Sequence, residues 1–315
     1  MPHEVTIADP QLTAFRQAVL GGLAQSRKAI PPRWLYDDRG CELFEEITRL
    51  HEYYPTRTET KILVNNAAEI ADFCGPDAVM LEYGAGAGIK TEIIVETLRS
   101  LRLYVPIDIA ENFLRETALR FERRFAGLKV APIVGDFTAP IDLPAEILSH
   151  RRFAFFPGST IGNLEPEEAV NFLGQVRKHV GAEGRLVIGV DLKKDIGTLI
   201  RAYDDSLGVT AAFNLNLLRR INRELGGTFD PSLFRHRALW NGSESAIEMH
   251  LESITRHTVH VAGQSFDFAL GETIHTESSR KYDHYAFLSL AADAAWRFDR
   301  VWTDEDNSFA VFGLV

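Results

Sequence analysis

The sequence predicts an α/β fold: an open, doubly wound parallel sheet, followed by a second region of mixed helix and strand. Three observations carry this reading. Short apolar runs recur at 78–81 (AVML), 103–107 (LYVPI), 130–134 (VAPIV), 153–156 (FAFF) and 186–190 (LVIGV). Runs of this length, rich in β-branched and aromatic residues, are the pattern of strands buried on both faces and joined by crossover helices. Helical spacing fills the intervals, and the rhythm breaks after Asp191, as expected where a doubly wound sheet gives way to another architecture.

Taken in order, residues 92–103 and 165–180 carry amphipathic helical spacing. The second helix is announced by Glu165-Pro166-Glu167-Glu168, proline and acids in a first turn whose free N–H groups favour negative charge. Residues 197–225 form one long or interrupted helical segment. The stretches 246–254 (AIEMHLESI) and 257–261 (HTVHV) alternate as antiparallel strands do, around a turn at Ala262-Gly263-Gln264. A helix near 281–294 and a hairpin over 300–315 close the chain. A final antiparallel hairpin belongs to the seven-stranded methyltransferase variant of this sheet, whereas the NAD-binding variant continues in parallel, an argument from fold analogy.

Composition narrows the function classes. The 315 residues are 45% hydrophobic and 25% charged, as in a globular protein, with a net charge of -10. That balance argues against a nucleic-acid partner, whose phosphates are bound by clustered Lys and Arg. No apolar run approaches the roughly 20 residues that span a bilayer, and the first residues, MPHEVTIADP, lack the basic-then-apolar pattern of a leader. No membrane association is therefore expected. Cys41 and Cys74 have no metal-ligand spacing and suit a reducing, cytoplasmic setting. The ten histidines show no HExxH or comparable ligand spacing, so no catalytic metal is expected. Nothing requires an obligate protein partner.

The stretch 82–91, EYGAGAGIKT, places Gly84, Gly86 and Gly88 between an apolar run and a helix. Three cofactor loops compete for it. A Walker A loop needs glycine immediately before the lysine, and a dinucleotide loop needs its third glycine at the same position; Ile89 stands there instead. The remaining reading is an S-adenosylmethionine turn. Asp108, at the end of the second run, is placed to accept both hydroxyls of a ribose, which suits either NAD or the methyl donor. Asp136 and Phe137, closing the third run, supply an acceptor for an adenine amino group and a ring to cover the base. Glu82 is expected to meet a cationic amino-acid tail. Together these favour the methyl donor.

The fourth run ends in 155–164, FFPGSTIGNL. With 31–37 (PPRWLYD) and 52–59 (EYYPTRTE), it resembles the histidine-specific Nα-methyltransferases of ergothioneine biosynthesis. Residues 201–205 (RAYDD), 247–249 (IEM) and 276–279 (TESS) are similar to further blocks of that family, in the right order from about residue 31 to 282. The resemblance implies a Rossmann-like class I methyltransferase core over 62–196 and 287–315. It also implies an α+β accessory domain, over 1–61 and 197–286, that binds substrate. The implied cofactor is S-adenosyl-L-methionine, leaving S-adenosyl-L-homocysteine, and the implied substrate is L-histidine, methylated successively to the betaine hercynine. Carried onto this chain, the family's donor site comprises Tyr53, Gly84, Gly86, Lys90, Asp108, Asp136 and Phe137. Its substrate site comprises Tyr36, Tyr53, Gly158, Asn163, Tyr203, Met249, Glu277 and Ser279. One departure is visible: Tyr83 and Gly88 stand where the family has leucine and a polar residue.

These residue types suit the chemistry. Methyl transfer to an amine is an in-line displacement, so an uncharged nitrogen must be desolvated and held on the methyl axis. Tyr36 and Tyr53, the expected catalytic residues, offer aromatic faces that tolerate growing positive charge. Asn163 and Tyr203 can donate to a carboxylate. Glu277 and Ser279, two apart on a strand, share a face and can meet the two imidazole nitrogens. Met249 would pack the ring.

Overall fold

The computed structural model describes residues 10–98 and 100–315; the first residues, read above for a leader, lie outside them. The chain divides into two compact units. One comprises the chain up to Phe44 with Tyr203–Leu239 and Glu248–Glu277; the other comprises Glu45–Ala202, Trp240–Ile247 and Ser278–Val315.

In chain order the elements begin with α1 (Pro10–Leu23), β1 (Lys28–Ala29), α2 (Asp38–Thr48), α3 (Tyr54–Asn65) and α4 (Ala67–Cys74). The alternating region follows as β2 (Val79–Tyr83), α5 (Ile89–Thr97), β3 (Leu103–Asp108), α6 (Glu111–Arg124), β4 (Lys129–Val130) and β5 (Ile133–Val134). It continues through α7 (Ala145–Leu148), β6 (Arg152–Phe156), α8 (Pro166–Val180) and β7 (Arg185–Asp191). Then come α9 (Ile196–Tyr203), α10 (Val209–Leu225), β8 (Phe234–Asn241), β9 (Ala246–Ser253), β10 (His257–Val261), β11 (Gln264–Phe268) and β12 (Thr273–Arg280). The last are α11 (His284–Asp293), β13 (Phe298–Thr303) and β14 (Phe309–Leu314).

In the second unit an eight-stranded sheet runs β13-β14-β7-β6-β2-β3-β4, with β5 also on β3. The strands β2, β3, β4, β5, β6 and β7 pair in parallel, while β14 pairs antiparallel with both β7 and β13. This is the Rossmann-like order with an antiparallel hairpin at one edge, as the sequence predicts. Alternation sends Val79, Leu81 and Tyr83 of β2 to one core, with Phe156, Ile188 and Phe172. It sends Met80 to the other, with Tyr104, Phe153 and Phe155 against α3, α4 and α5. Both faces of the sheet are thus covered by helices, which is why its strands read as continuous apolar runs.

Local departures from the sequence reading have local causes. The run 130–134 splits into β4 and β5 around Ala131-Pro132, because proline cannot donate a ladder bond. The helix expected from residue 92 starts at Ile89, directly after Gly88 in the left-handed region. The long segment 197–225 is two helices, α9 and α10, parted before the left-handed Gly208. Helix α8 begins where expected, with Glu165 and Glu168 forming a capping box.

In the first unit a sheet runs β1-β12-β9-β8, its last three strands continuing past the unit's limits, with β1 parallel to β12. The expected hairpin is β10 and β11, turning through Ala262 and Gly263, both at positive φ. Among the described residues no helix is long and apolar enough to cross a membrane.

Candidate active site

The glycine turn after β2 is built from backbone that only glycine adopts readily: Gly84, Gly86 and Gly88 all have positive φ. Gly88 is also sterically fixed, because a Cβ there would lie 2.6 Å from Phe121. A Cβ on Gly86 would meet nothing within 4 Å, and one on Gly84 would lie 3.6 Å from the Phe137 ring. The turn therefore has open space beside one glycine and an aromatic face beside another.

Asp108, ending β3, holds this turn. Its Oδ2 accepts from Gly86 N at 3.1 Å and its Oδ1 from Ala110 N at 2.9 Å. The carboxylate keeps lone-pair capacity beyond these bonds. Burial pushes its carboxyl up in pKa, against the backbone bonds from Ala110 and Gly86. Asp136 is fixed from its own loop, accepting from Thr138 N and Oγ1 at 2.9 and 2.6 Å. The Phe137 ring packs edge-on to Phe156 and Phe172, with centroids 5.5 and 5.4 Å away. Gln175 of α8 donates to Phe137 O and Ala139 O. The structure thus groups Gly84 with Phe137 and Gly86 with Asp108.

One expectation about the turn changes, and the departure at Tyr83 is explained. Glu82 is buried and its two oxygens are taken by Thr91 Oγ1, at 2.5 Å, and by the Tyr104 hydroxyl, so it faces into the sheet rather than toward a ligand's cationic tail. Burial pushes its carboxyl up to about 7. Tyr83, the visible departure from the family pattern, points into the core, where its hydroxyl donates to His179 Nδ1 at 2.8 Å. His179 Nε2 donates in turn to Ile141 O.

The block EYYPTRTE has a part for almost every residue. Tyr53 is the buried residue that caps α3, and Pro55 sits in the first turn, where its missing N–H costs nothing. Arg57 ties down the preceding turn through Leu50 O, His51 O and Tyr53 O. The Tyr54 hydroxyl donates to Asp191 at the end of β7. Glu59, fully buried, pairs with Lys90 and accepts from Gly158 N at 2.8 Å. A Cβ on Gly189 of β7 would come within 2.0 Å of Glu59 Oε1, so that glycine makes the room for the carboxylate. Glu59 was not singled out in the sequence; its signal was its place closing a block whose tyrosines drew the attention.

After β6, Gly158 and Ser159 both adopt positive φ, and Ser159 Oγ accepts from Asp191 N at 2.9 Å. They lead into a short 3-10 helix, Thr160–Asn163, which ends on the half-buried Asn163. Gly162 packs on the backbone of Arg280, where a Cβ would lie 2.6 Å from the carbonyl oxygen. Beside it, Ser279 Oγ accepts from Lys281 Nζ at 2.8 Å, and Lys281 pairs with the buried Asp191. Burial alone would raise the Asp191 carboxyl; Lys281 and Lys194 outweigh it and hold it below the ordinary range.

In the first unit the Tyr36 ring stands edge-on to Phe44 and Phe213, at 5.6 and 5.4 Å. The next residue, Asp37, accepts from Gly40 N and Asn216 Nδ2. Tyr203 is buried, and its carbonyl accepts from His236 Nε2 at 2.8 Å while Asn214 donates to the other ring nitrogen. Burial lowers the His236 pKa, which keeps that ring neutral and in the tautomer those bonds require. Met249 and Glu277 are both buried on neighbouring strands, β9 and β12, joined where Thr276 Oγ1 donates to Met249 O at 3.0 Å.

The described histidine-specific, S-adenosylmethionine-dependent methyltransferase family matches residues 15–315. The chain is 40% identical over 96% of its length to a histidine N-alpha-methyltransferase of Mycolicibacterium smegmatis, covering 95% of that protein. It is 41% identical over 95% to the Mycobacterium tuberculosis protein of the same name, covering 94% of it. A Neurospora crassa protein, ergothioneine biosynthesis protein 1, is 32% identical over 64% of this chain, which spans 23% of that longer protein.

Proposed function

Because the chain belongs to the S-adenosylmethionine-dependent, histidine-specific methyltransferase family, we infer that it methylates the α-amino group of L-histidine, successively, to hercynine within ergothioneine biosynthesis. The observation that carries this is the near full-length identity to two histidine N-alpha-methyltransferases. The turn described above fits the donor: an open left-handed glycine, a ring beside Gly84, and a buried carboxylate with lone pairs to spare. Bound S-adenosylmethionine supplies an electrophilic methyl group on a sulfonium.

The chain's own groups do the rest. Asp108 would accept from the ribose hydroxyls, Asp136 and Phe137 would hold and cover the adenine, and Gly84, Gly86, Lys90 and Tyr53 would border the remainder of the donor. In the second unit, Asn163 would fix the substrate carboxylate, Gly158 would border it, and Ser279 would meet the imidazole. In the first unit, Glu277 would accept from an imidazole N–H, Tyr203 would donate to the carboxylate, and Met249 would pack the ring. A site that satisfies both ring nitrogens rejects apolar side chains, because its own polar groups would be left unpaired. Tyr36 and Tyr53 would line the path of the amine with ring faces that attract the cation formed at each transfer. We assign residues 62–196 and 287–315 to the donor-binding methyltransferase core, which would also supply Gly158 and Asn163 to the substrate, and 1–61 and 197–286 to an accessory substrate-binding domain, which would also supply Tyr53 to the donor. Cys41 and Cys74, both buried and neither in a disulfide, suit a cytoplasmic enzyme.

Mass spectrometry of L-histidine incubated with purified protein and donor tests the reading. Products carrying one, two and three added methyl groups are expected. Methylation of another amino acid from an equimolar panel, with histidine unchanged, would overturn it.

A further inference from the structure

Glu248 and His250 stand two apart on β9, so strand alternation turns both side chains to one face. His275 reaches them from β12, the neighbouring strand of the same sheet. The two imidazole rings lie 5.1 Å apart between centroids, and His250 Nε2 is 2.9 Å from Glu248 Oε2. One donor atom from each residue falls within 4.8 Å of the other two. The His250 and Glu248 side chains are only 12% and 19% exposed. The second His250 nitrogen, Nδ1, is buried with no hydrogen-bond partner, which a ring held only by ordinary hydrogen bonding leaves unexplained.

We propose that Glu248, His250 and His275 form a binding site for a divalent transition ion of the zinc class, fastening β9 to β12. Two imidazoles and one carboxylate are a mixed nitrogen and oxygen donor set. Zinc, cobalt and nickel favour such a set, whereas calcium and magnesium take oxygen alone. Tetrahedral ligands about 2.0–2.1 Å from zinc stand about 3.4 Å apart. The His250 Nε2 and Glu248 Oε2 atoms, 2.9 Å apart, must open slightly to reach that spacing, and donor atoms that lie within 4.8 Å of one another close to it by side-chain rotation. Three protein donors leave a fourth position for water. The site spans the same two strands that Thr276 and Met249 O connect, so a bound ion stiffens that connection. Alternation puts His275 on the face of β12 that Glu277 and Ser279 share, so the ion would brace that face while taking no part in methyl transfer.

Tag-free, chelator-treated, full-length protein titrated with Co(II) tests this. One equivalent should bind with visible d–d absorption, which Zn(II) then bleaches. Zinc at hundredfold over its Kd should raise Tm by about 4 °C. His250→Ala and His275→Ala should each weaken Co(II) binding by about 100-fold or more, Glu248→Gln by at least about tenfold, and the exposed His260→Ala not at all. Circular dichroism checks that each variant is folded, and Glu248→Gln carries the test where an alanine variant is not. Absence of a stoichiometric Co(II) spectrum in the wild type overturns the proposal, and so does a spectrum that survives in Glu248→Gln at unchanged affinity.

Discussion

Replacing Glu59 with glutamine perturbs Lys90, proposed to border the donor, and the Gly158 turn, proposed to border the substrate, at once. Its carboxylate is fully buried and serves two donors, the Lys90 ammonium and Gly158 N. Glutamine keeps the volume but offers one acceptor oxygen and one NH2, so one of the two donors must face another donor. Removing one partner of a buried pair costs about 3–5 kcal/mol. The Lys90 side chain retains 15% exposure and can turn toward water, which lowers the expected cost to about 2–3 kcal/mol. An unfolding entropy of about 2.1 cal/mol/K per residue, over this length of chain, converts that to a Tm lower by about 3–5 °C. Calorimetry gives Tm, and titration gives donor and histidine affinities separately. Donor affinity should fall by at least about tenfold because Lys90 loses its anchor, and histidine affinity should fall as well because the Gly158 turn does. Adding Lys90→Met should restore part of the stability, with a coupling of about 1 kcal/mol or more. A Tm within about 1 °C of wild type together with unchanged donor affinity would refute the reasoning.

Glu82 titrates against folding: its pKa is raised from 4.5 to about 7 in the folded chain, so its stabilising contribution is complete below about 4.5 and is lost as pH rises through about 7. Denaturant titrations should show wild type losing on the order of 3 kcal/mol relative to Glu82→Gln over that window, and parallel pH profiles would contradict it. Tyr83→Phe removes the hydroxyl that satisfies His179 Nδ1 and should cost about 1–2 kcal/mol while leaving donor affinity unchanged; weakened donor binding would show that Tyr83 does more than pack the core. Glu277→Ala should reduce histidine affinity far more than donor affinity by calorimetric titration, and equal losses would remove it from substrate recognition. Gly189→Ala pushes a methyl against Glu59 and should lower stability by about 1–3 kcal/mol in chemical denaturation. A neutral result there would mean that Glu59 has room to move.

The parallel strands were legible because each is buried on both faces, so apolar content alone marks them. The acids Asp108 and Asp136 were legible because they close such runs. Glu82 was misread for the same reason: position at a strand end does not say which way a side chain points, and Thr91 and Tyr104 turn it inward. Glu59 escaped notice because its partners, Lys90 and Gly158, are 31 and 99 residues away. The cluster of Glu248, His250 and His275 was equally hidden. A search for helical ligand spacing cannot find donors that meet only when β9 and β12 lie side by side. The break was left open because apolar residues at helical spacing run through both α9 and α10, and the intervening residues 204–208, ending in the left-handed Gly208, carry the turn.

The contact between Gly189 and Glu59 also restricts how this sequence can drift. A side chain at position 189 is admitted only after the acid has gone, yet losing the acid first strands an ammonium and an amide in the interior. Either order of single substitutions passes through a weakened ancestor, so the glycine, the glutamate and the lysine are inherited as a set. Descendants that dispense with one should prove to have exchanged the others as well.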